Sequence, residues 1–237
     1  MTYIDGFVAA VPAANREVYR KHASDAVPLF KKLGASRIVE CWGEDVPEGK
    51  VTDFRKAVKA EPDEVIVFSW IVYPDKATRD EAGRRLMEDL DLPDLGELPF
   101  DGKRMIFGGF EPVFDSGDSG RFSYVDGTLI AVPDTSREVF RDYCARSGEI
   151  FRDHGALRVV DCWGTDIPDG KVTDFKGAVK AEDGETVVFG WVEWQSKAAR
   201  DAGWAKMMED SRMEGLRAMP FDGMRMVYGG FAPIVDL

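Results

Sequence analysis

The chain contains one sequence unit twice. Adding 121 to a residue number in the first half gives its counterpart in the second, from Tyr3 and Tyr124 to Asp115 and Asp236, without a gap. Of these 113 pairs, 54 are identical. Two copies are too few for a solenoid, which needs three or more repeats to bury a continuous core. The chain is therefore expected to fold as two joined units that pack on each other like the subunits of a dimer.

A short polar segment separates the copies. Residues 116–123 are rich in Gly and Ser and span about 26 Å when extended at ~3.3 Å per residue, so the copies are expected to lie side by side. We divide the chain into a first repeat at 1–115, a linker at 116–123 and a second repeat at 124–237. The Gly-Asp-Ser-Gly run at 117–120 imitates a serine-protease signature, but it is absent from the other copy and has no placed His and Asp partners.

Each copy has the same predicted order of secondary structure. β-Branched and aromatic runs predict strands, and apolar residues at helical spacing predict two helices. Asn15 and its counterpart Ser136 are the expected N-caps of the first helix, and Gly34 ends it. For the first copy the prediction places strands at 3–11, 36–43, 64–72 and 104–114, helices at 15–33 and 75–89, and one optional extra strand at 53–60.

This order predicts an α+β fold in which each copy is a ferredoxin-like unit. Such a unit has an antiparallel sheet with two helices on one face, and its other face is open and apolar. The open faces must be buried, and two copies bury them by packing sheet against sheet. The expected architecture is thus a pair of tandem ferredoxin-like units that form an intramolecular dimeric α/β-barrel.

Several long blocks recur in both copies and are specific enough to suggest a family. They are Asp-Gly at 5–6, Arg-Ile-Val-Glu-Cys-Trp at 37–42, Gly-Lys-Val-Thr-Asp-Phe at 49–54, and the segment from Pro-Phe-Asp-Gly to Gly-Gly-Phe at 99–110. On these blocks each copy resembles the YbaA-like family of uncharacterised bacterial proteins. Usual members look like single units that pair as homodimers, and the resemblance implies the same dimeric α/β-barrel. It supplies no activity.

Charge and apolar content limit the classes of partner. The formal net charge is −12, with 43 acidic against 31 basic residues, and no basic cluster offsets it, so nucleic acid is not an expected partner. No run reaches the roughly 18 to 20 apolar residues that span a bilayer, and membrane association is not expected either. We predict a cytoplasmic protein with reduced, buried cysteines.

Charged residues on predicted strands are the first candidate site. Strand alternation places Ile38, Glu40 and Trp42 on one face of the sheet. A carboxylate there should be paired or line a cavity, because an unpaired buried charge costs several kcal/mol. Two interpretations stay open: ion pairs that only hold the sheets together, or a ligand cavity in which the acids serve as weak catalytic candidates and the arginines hold an anionic group. The residues are Glu40, Asp161, Asp5 and Asp126 with Arg104 and Arg225.

The polar loop at 45–54 is the second candidate site, because loops on a rigid sheet often carry binding residues. A structural alternative is a connection stabilised by hydrogen bonds of its Asp and Thr side chains. A Trp at the strand end beside the loop could stack on a flat ligand, or it could belong to the core. The candidate ligand-binding residues of both copies are Lys50, Lys171, Asp53, Asp174, Trp42 and Trp163.

Histidine is scarce. His22 and His154 are the only two, and neither has a histidine at the equivalent position of the other copy. A multi-histidine metal centre is therefore not expected, and the sequence predicts no metal and no cofactor.

Three functions remain open at this point. The first is binding of a small organic molecule in a cavity of the barrel. The second is a non-catalytic structural or protein-interaction module, with a filled barrel and an apolar surface patch. The third, by analogy of fold alone, is a cofactor-independent oxygenase or isomerase. Whether the chain is an enzyme is left open, and we expect a pseudo-dimer that is monomeric or weakly self-associating.

Overall fold

Eight strands, four from each repeat, form the centre of the computed structural model, which describes residues 1–88, 96–117 and 120–237. The first repeat supplies β1 (Tyr3–Pro12), β2 (Arg37–Asp45), β3 (Glu64–Tyr73) and β4 (Ile106–Gly117). The second supplies β5 (Tyr124–Pro133), β6 (Ala156–Asp166), β7 (Glu185–Trp194) and β8 (Val227–Asp236). The four main strands predicted for the first repeat are present, within a few residues at their ends, and the second repeat has their counterparts.

Six helices accompany the strands in the described residues. The long ones are α1 (Arg16–Lys32) and α3 (Lys76–Glu88) in the first repeat, and α4 (Arg137–Asp153) and α6 (Lys197–Glu209) in the second. Two four-residue helices, α2 (Phe54–Ala57) and α5 (Phe175–Ala178), occupy equivalent positions. The optional strand at 53–60 is wrong, because Asp53 accepts a hydrogen bond from the Lys56 amide and starts helix α2 there.

The strands close into one antiparallel barrel in the order β1-β3-β2-β8-β5-β7-β6-β4. Within each repeat four strands pair, and the two sheets join where β2 pairs with β8 and β4 pairs with β6. Because every strand has two neighbours, the barrel has no open edge. This confirms the predicted α+β class and the intramolecular barrel.

Aromatic side chains from both repeats fill the barrel. Phe68 stacks on Phe189 with ring centroids 4.4 Å apart, and Trp70 stacks on Trp191 at 4.6 Å. These four side chains are almost fully buried. These stacked rings occupy the middle of the barrel.

Two details differ from the sequence-based expectations. Asn15 and Ser136 stand at the helix starts but make no capping bond; a 3₁₀ turn precedes each helix, and the Asn15 amide instead donates to the Pro99 carbonyl at 2.9 Å. β4 also extends to Gly117, where it pairs with Arg158, so the strand enters the segment predicted as linker. Residue 89 of the second predicted helix and residues 118–119 of the linker lie outside the described residues.

No described helix combines the length and the apolar character that a membrane crossing requires.

Candidate functional site

Equivalent acids stand on equivalent strands, Glu40 on β2 and Asp161 on β6. As alternation predicts, Val39 and Cys41 on either side of Glu40 belong to the core inside the barrel, while Ile38 and Trp42 pack with the residues of the helix-covered face. Both acids therefore lie between the barrel wall and the long helices. Their surroundings in the two repeats differ.

In the first repeat, two hydroxyl groups contact the carboxylate of Glu40. The Tyr19 hydroxyl donates to Oε2 at 2.7 Å, and the Ser69 hydroxyl donates to the same oxygen. Burial raises the pKa of Glu40, and the two hydrogen bonds oppose that rise. Tyr19 comes from α1 and Ser69 from β3, so the first repeat satisfies its own buried acid.

In the second repeat, neither hydroxyl is present. Phe140 stands where the first repeat has Tyr19, and Gly190 stands where it has Ser69. No described residue donates an N–H or O–H hydrogen bond to Asp161, and the side chain that hydrogen-bonds to it is the Cys144 thiol. Burial raises the pKa of Asp161 to about 6. Asp161 is only partly accessible, so little water can take the place of the missing donors, and a carboxyl in this situation is costly.

A cavity of about 560 Å³ opens beside Asp161, between the sheet and helices α4 and α6. Its volume is within the range of small-molecule sites, roughly 300 to 1,000 Å³. Most of the lining is apolar, and Asp161, which is partly accessible, contributes to it. The apolar and aromatic side chains are mainly Phe140, Phe151, Trp204, Met213, Leu216, Met219, Phe221 and Met226, and the polar ones are Asp126, Thr128, Tyr143, Cys144, Ser147, Asp161 and Arg200.

Gly190 has no side chain, and the side chains of Asp161 and Thr128, which line the cavity, close over it. A Cβ atom at this position would stand 2.6 Å from Asp161 Oδ1 and 2.8 Å from Thr128 Oγ1. Strand pairing explains the arrangement, because Gly190 on β7 lies opposite Thr128 of β5 and Asp161 of β6. An acceptor and a hydroxyl thus border the same small space.

Asp126 lines the same cavity, but protein donors already hydrogen-bond to both of its carboxylate oxygens. Its carboxylate accepts hydrogen bonds from Trp194 Nε1 at 2.9 Å, Trp204 Nε1 at 3.0 Å and Arg200 Nε at 2.8 Å. Its counterpart Asp5 accepts from Arg79 Nε at 2.7 Å. Burial raises the pKa of both acids, and for Asp5 to about 6. Asp126 and Asp161 therefore line one cavity, and Asp126 has structural partners.

Arg104 and Arg225 lie elsewhere, and the prediction that they stand on strands is wrong. Both end short 3₁₀ turns before the last strand of each repeat. Arg104 donates to both carboxylate oxygens of Glu64 at 2.7 Å, and Arg225 pairs in the same way with Glu185 at 2.7 and 2.8 Å. These bidentate pairs fasten each turn to a neighbouring strand.

Trp42 and Trp163 are buried under α1 and α4, with 7% and 6% of their surface exposed. Arg16 and Arg137 cover their rings at 5.8 and 5.5 Å. Little ring surface is left for a flat ligand, and Trp163 is absent from the lining of the cavity beside Asp161.

The two polar loops make structural contacts. Asp53 and Asp174 accept bonds from the amides of Gly49 and Gly170 and from amides in helices α2 and α5. These are the side-chain bonds of the structural alternative. Lys50 and Lys171 are exposed, and Lys171 with Asp174 lines a second groove of about 580 Å³ that the 168–174 loop forms with residues 102–107. The ligand-binding roles given to the tryptophans, the Arg104 pair and these loops stay predictions.

Sequence reasoning identified Asp161 and Asp126 but missed their neighbours Thr128, Phe140 and Gly190. A signal was available in the repeat itself. Tyr19 and Ser69 both lose their hydroxyl in the second copy, while the acid between them is kept. Among the described residues, no group of three or more His, Cys, Asp or Glu side chains is arranged to hold a metal ion.

The closed barrel of two ferredoxin-like halves defines the structural class, the dimeric α/β-barrel fold. Its fold is similar to that of a "putative monooxygenase" from Lactobacillus acidophilus NCFM, with a TM-score of 0.56 at 12% identity over 99% of this chain and 95% of that one. An anthrone oxidase-like protein matches with a TM-score of 0.53 at 11% identity, over 100% and 92% of the two chains. At these identities the likeness concerns the fold alone.

Sequence comparison gives the particular family. The chain belongs to the family described as protein of unknown function (DUF1428), whose model matches residues 2–102 and again 123–223. Uncharacterized protein YbaA of Escherichia coli K12 is 60% identical over 116 residues, which are 48% of this chain and 99% of that protein. YbaA of Shigella flexneri matches to the same extent. One YbaA chain thus corresponds to about half of this one, which confirms the predicted resemblance and the tandem arrangement.

Proposed function

We propose that the protein binds a small, largely apolar organic molecule in the cavity of the second repeat, and that Asp161 is its polar anchor. The observation that carries the proposal is the Asp161 carboxyl, which borders an apolar cavity without an N–H or O–H donor from any described residue. A ligand that donates a hydrogen bond there would offset the cost of burying the acid. Perturbed acids in clefts are typical of functional sites.

The volume and lining of the cavity support a small organic ligand. About 560 Å³ of space, bordered mainly by aromatic and methionine side chains with a few polar groups, is typical of sites that enclose such molecules. The aromatic surfaces would contribute contact area, and methionine side chains adapt to irregular shapes. The proposed binding site is therefore this cavity between the sheet and helices α4 and α6.

Ligand-observed NMR with two uncharged bicyclic probes, 2-naphthol and 2-methoxynaphthalene, tests binding. We expect at least one probe to bind the protein, and Ser147→Trp, which fills the cavity from α4, to abolish the signal. Ala145→Trp is the matched control, because Ala145 is exposed on the same helix and outside the lining. If neither probe binds at millimolar concentration, or if Ser147→Trp binds as well as the wild type, the cavity is not the site. Absence of binding would favour the interaction module.

Proton transfer is a second candidate function of the same cavity. With a pKa of about 6, Asp161 is largely ionised near neutral pH and still basic enough to accept a proton from a bound molecule. The fold is shared with proteins whose names assign them monooxygenase or anthrone oxidase-like activity. Anthrone, which O₂ converts to anthraquinone and water, is therefore a suitable first substrate.

Formation of anthraquinone from anthrone in air, with no cofactor added, tests this second candidate. We expect turnover that Asp161→Asn abolishes and that Glu40→Gln retains, because Glu40 is engaged within the first repeat. Equal turnover by wild type and Asp161→Asn would remove Asp161 from the chemistry.

We also propose that the protein works in the cytoplasm as a monomer. The three cysteines are all buried and unpaired, which suits a reducing compartment. Both repeats already lie in one barrel, so a second copy is not needed to complete it. Sedimentation equilibrium at micromolar concentration tests the second half of this proposal; a stable dimer would contradict it.

A further inference from the structure

The first repeat shows which chemical group its buried acid accepts. Glu40 is contacted by two uncharged hydroxyls, a phenol from Tyr19 and an alcohol from Ser69. The side chain that carries each hydroxyl has a counterpart without one in the second repeat, Phe140 and Gly190. Asp161 keeps the acid and lacks both donors.

In the second repeat, the side chains of Asp161 and Thr128 close over the position that corresponds to the Ser69 side chain in the first. Above Gly190, the position of a Cβ is 2.6 Å from Asp161 Oδ1 and 2.8 Å from Thr128 Oγ1. The first repeat has Phe7 where the second has Thr128. The second repeat therefore has one hydroxyl on the sheet that the first lacks, and it lacks the two hydroxyls that contact the acid in the first. A ligand oxygen that reaches both side chains from the cavity would have an acceptor in Asp161 and a donor in the Thr128 hydroxyl.

Building on the proposed function, we infer that the ligand of the cavity carries a hydroxyl group, as an alcohol, a phenol or an enol, that takes the place of the missing Tyr19 and Ser69 hydroxyls. The ligand hydroxyl reaches these two side chains from the cavity, donates to Asp161 and accepts from the Thr128 hydroxyl. The rest of the molecule extends into the apolar part of the cavity, toward Phe151, Trp204 and the methionines.

Charge argues against the two other classes of polar ligand. An anionic group would be repelled by Asp161 and by the net charge of −12. An ammonium group would have to leave water for a mainly apolar lining that also holds the Arg200 guanidinium. A neutral donor avoids both costs, as the two hydroxyls on Glu40 do.

Calorimetric titration at pH 7.5 with three probes of similar shape tests the inference. The probes are 2-naphthol, which donates a hydrogen bond, 2-methoxynaphthalene, which cannot, and 2-naphthylmethylamine, which is cationic. We expect wild type to bind 2-naphthol at least tenfold more tightly than the other two, because hydrogen bonds to charged groups contribute that much or more. Equal binding of naphthol and its methyl ether would overturn the hydroxyl inference and leave the proposed function intact.

Two variants locate the hydroxyl. Gly190→Ser and, separately, Phe140→Tyr restore one protein donor to Asp161, and each should reduce the preference for 2-naphthol by about tenfold. Because a Cβ at 190 requires Asp161 to turn aside, Phe140→Tyr is the variant less prone to misfold. Ser69→Gly in the first repeat is the matched control and should leave naphthol binding unchanged.

The remaining outcomes are also decisive. An unchanged naphthol preference in folded Phe140→Tyr and Gly190→Ser would show that the hydroxyl is bound elsewhere. Tighter binding of the amine would identify a cationic ligand and overturn the inference. If no probe binds wild type, the proposed function fails as well, and with it this extension.

Discussion

At the scale of single residues, the two repeats differ in the hydrogen bonds to equivalent acids: two hydroxyls donate to the acid of the first repeat, and the second repeat lacks both. The Glu40 carboxylate accepts hydrogen bonds from Tyr19 and Ser69. At the equivalent positions beside Asp161 stand Phe140 and Gly190, which have no hydroxyl. Both acids have a pKa raised by burial. In the second repeat the carboxyl also borders a cavity of about 560 Å³. The raised pKa of Asp161 therefore gives a measurable cost in stability.

Asp161→Asn should change the dependence of stability on pH. Burial raises the pKa of Asp161 from 3.8 to about 6, so the folded state keeps its proton more readily than the unfolded state. Proton binding by Asp161 therefore stabilises the folded state. This stabilisation is fully present below pH ~4, is lost as the pH rises through ~6, and amounts to about 1–3 kcal/mol in the free energy of unfolding. The free energy of unfolding of Asp161→Asn, relative to that of wild type, should therefore rise by about that amount between pH 4 and pH 8. Urea unfolding measures it.

Other groups near Asp161 do not titrate differently in the two proteins within this window. From α4, Tyr143 and Cys144 have pKa values raised by burial, above the range tested. Arg200 on α6 stays charged, and Asp126 on β5 is the same in both proteins. A stability difference that stays constant from pH 4 to pH 8 would show that the Asp161 pKa is close to its ordinary value.

Tyr19→Phe should destabilise the protein, because it leaves the buried Glu40 carboxylate with one hydroxyl donor fewer. We expect a loss of about 1–3 kcal/mol in the free energy of unfolding at pH 7, the range for hydrogen bonds to charged groups. Chemical denaturation measures it. Tyr228→Phe is the control, since the Tyr228 hydroxyl makes no hydrogen bond to a described residue, and its cost should stay below about 0.5 kcal/mol. Equal costs would mean that the Tyr19 bond to Glu40 contributes nothing.

The acids of the site were predictable from the sequence, but their partners were not. Glu40 and Asp161 are charged residues within otherwise apolar strands, which is a signal that any pattern analysis detects. Phe140 and Gly190 look like ordinary members of a helix and a strand. Their importance depends on which side chains the sheet and helix bring together, and only the three-dimensional arrangement shows that.

At the scale of elements, the short helices α2 and α5 join the two repeats at one end of the barrel. Phe54 and Phe175 insert into the aromatic core, where Phe54 meets Phe231 and Phe175 lies near Phe110, each pair at 5.3 Å. Thr52 donates to the Ala178 carbonyl at 2.6 Å, and Thr173 donates to the Ala57 carbonyl in return. The repeated Gly-Lys-Val-Thr-Asp-Phe block is therefore a reciprocal contact between repeats.

Thr52→Val should cost about 1–2 kcal/mol in the free energy of unfolding. Valine has the shape of threonine but leaves the buried Ala178 carbonyl without this donor. Lys50→Ala in the same loop is the control and should change stability by less than about 0.5 kcal/mol, because Lys50 is exposed. Guanidinium unfolding of both variants decides the matter. A Thr52→Val protein as stable as the control would show that the bond between repeats is energetically neutral.

Long periodic elements were predicted correctly, and short ones were not. The strands and long helices follow from apolar spacing over eight or more residues. Helix α2 has only four residues, and residues 53–60 were read as an optional strand because the segment contains apolar residues without a helical period. Its helical state depends on the Asp53 cap and on the Phe54 contacts inside the barrel, which are tertiary effects.

At the scale of the whole molecule, the two repeats are held together by strand pairing and ion pairs rather than by the linker. β2 pairs with β8 and β4 pairs with β6. Arg37 donates to both oxygens of Asp236 at 2.7 and 2.9 Å, and Arg158 does the same to Asp115 at 2.8 Å. The duplication in the sequence was sufficient to predict this architecture, because each unit has one sheet face that it cannot bury alone.

Cutting the chain between the repeats should leave them associated. A protease recognition site inserted between Gly117 and Gly120 and then cleaved should give two fragments that elute together at the volume of the uncut protein. Size-exclusion chromatography followed by denaturing electrophoresis is the measurement, and the uncut insertion variant is the control. Separation of the fragments at micromolar concentration would show that covalent linkage, not the interface, keeps the barrel closed.

The stacked indoles of Trp70 and Trp191 have an optical consequence. One indole comes from each repeat, and their centroids are 4.6 Å apart with an angle of 24° between the planes. Chromophores this close couple their electronic transitions and give a paired positive and negative band in circular dichroism. The couplet exists only while the repeats are joined, so it reports barrel opening separately from the loss of helix and strand. The protein thus carries an intrinsic spectroscopic marker of its own assembly.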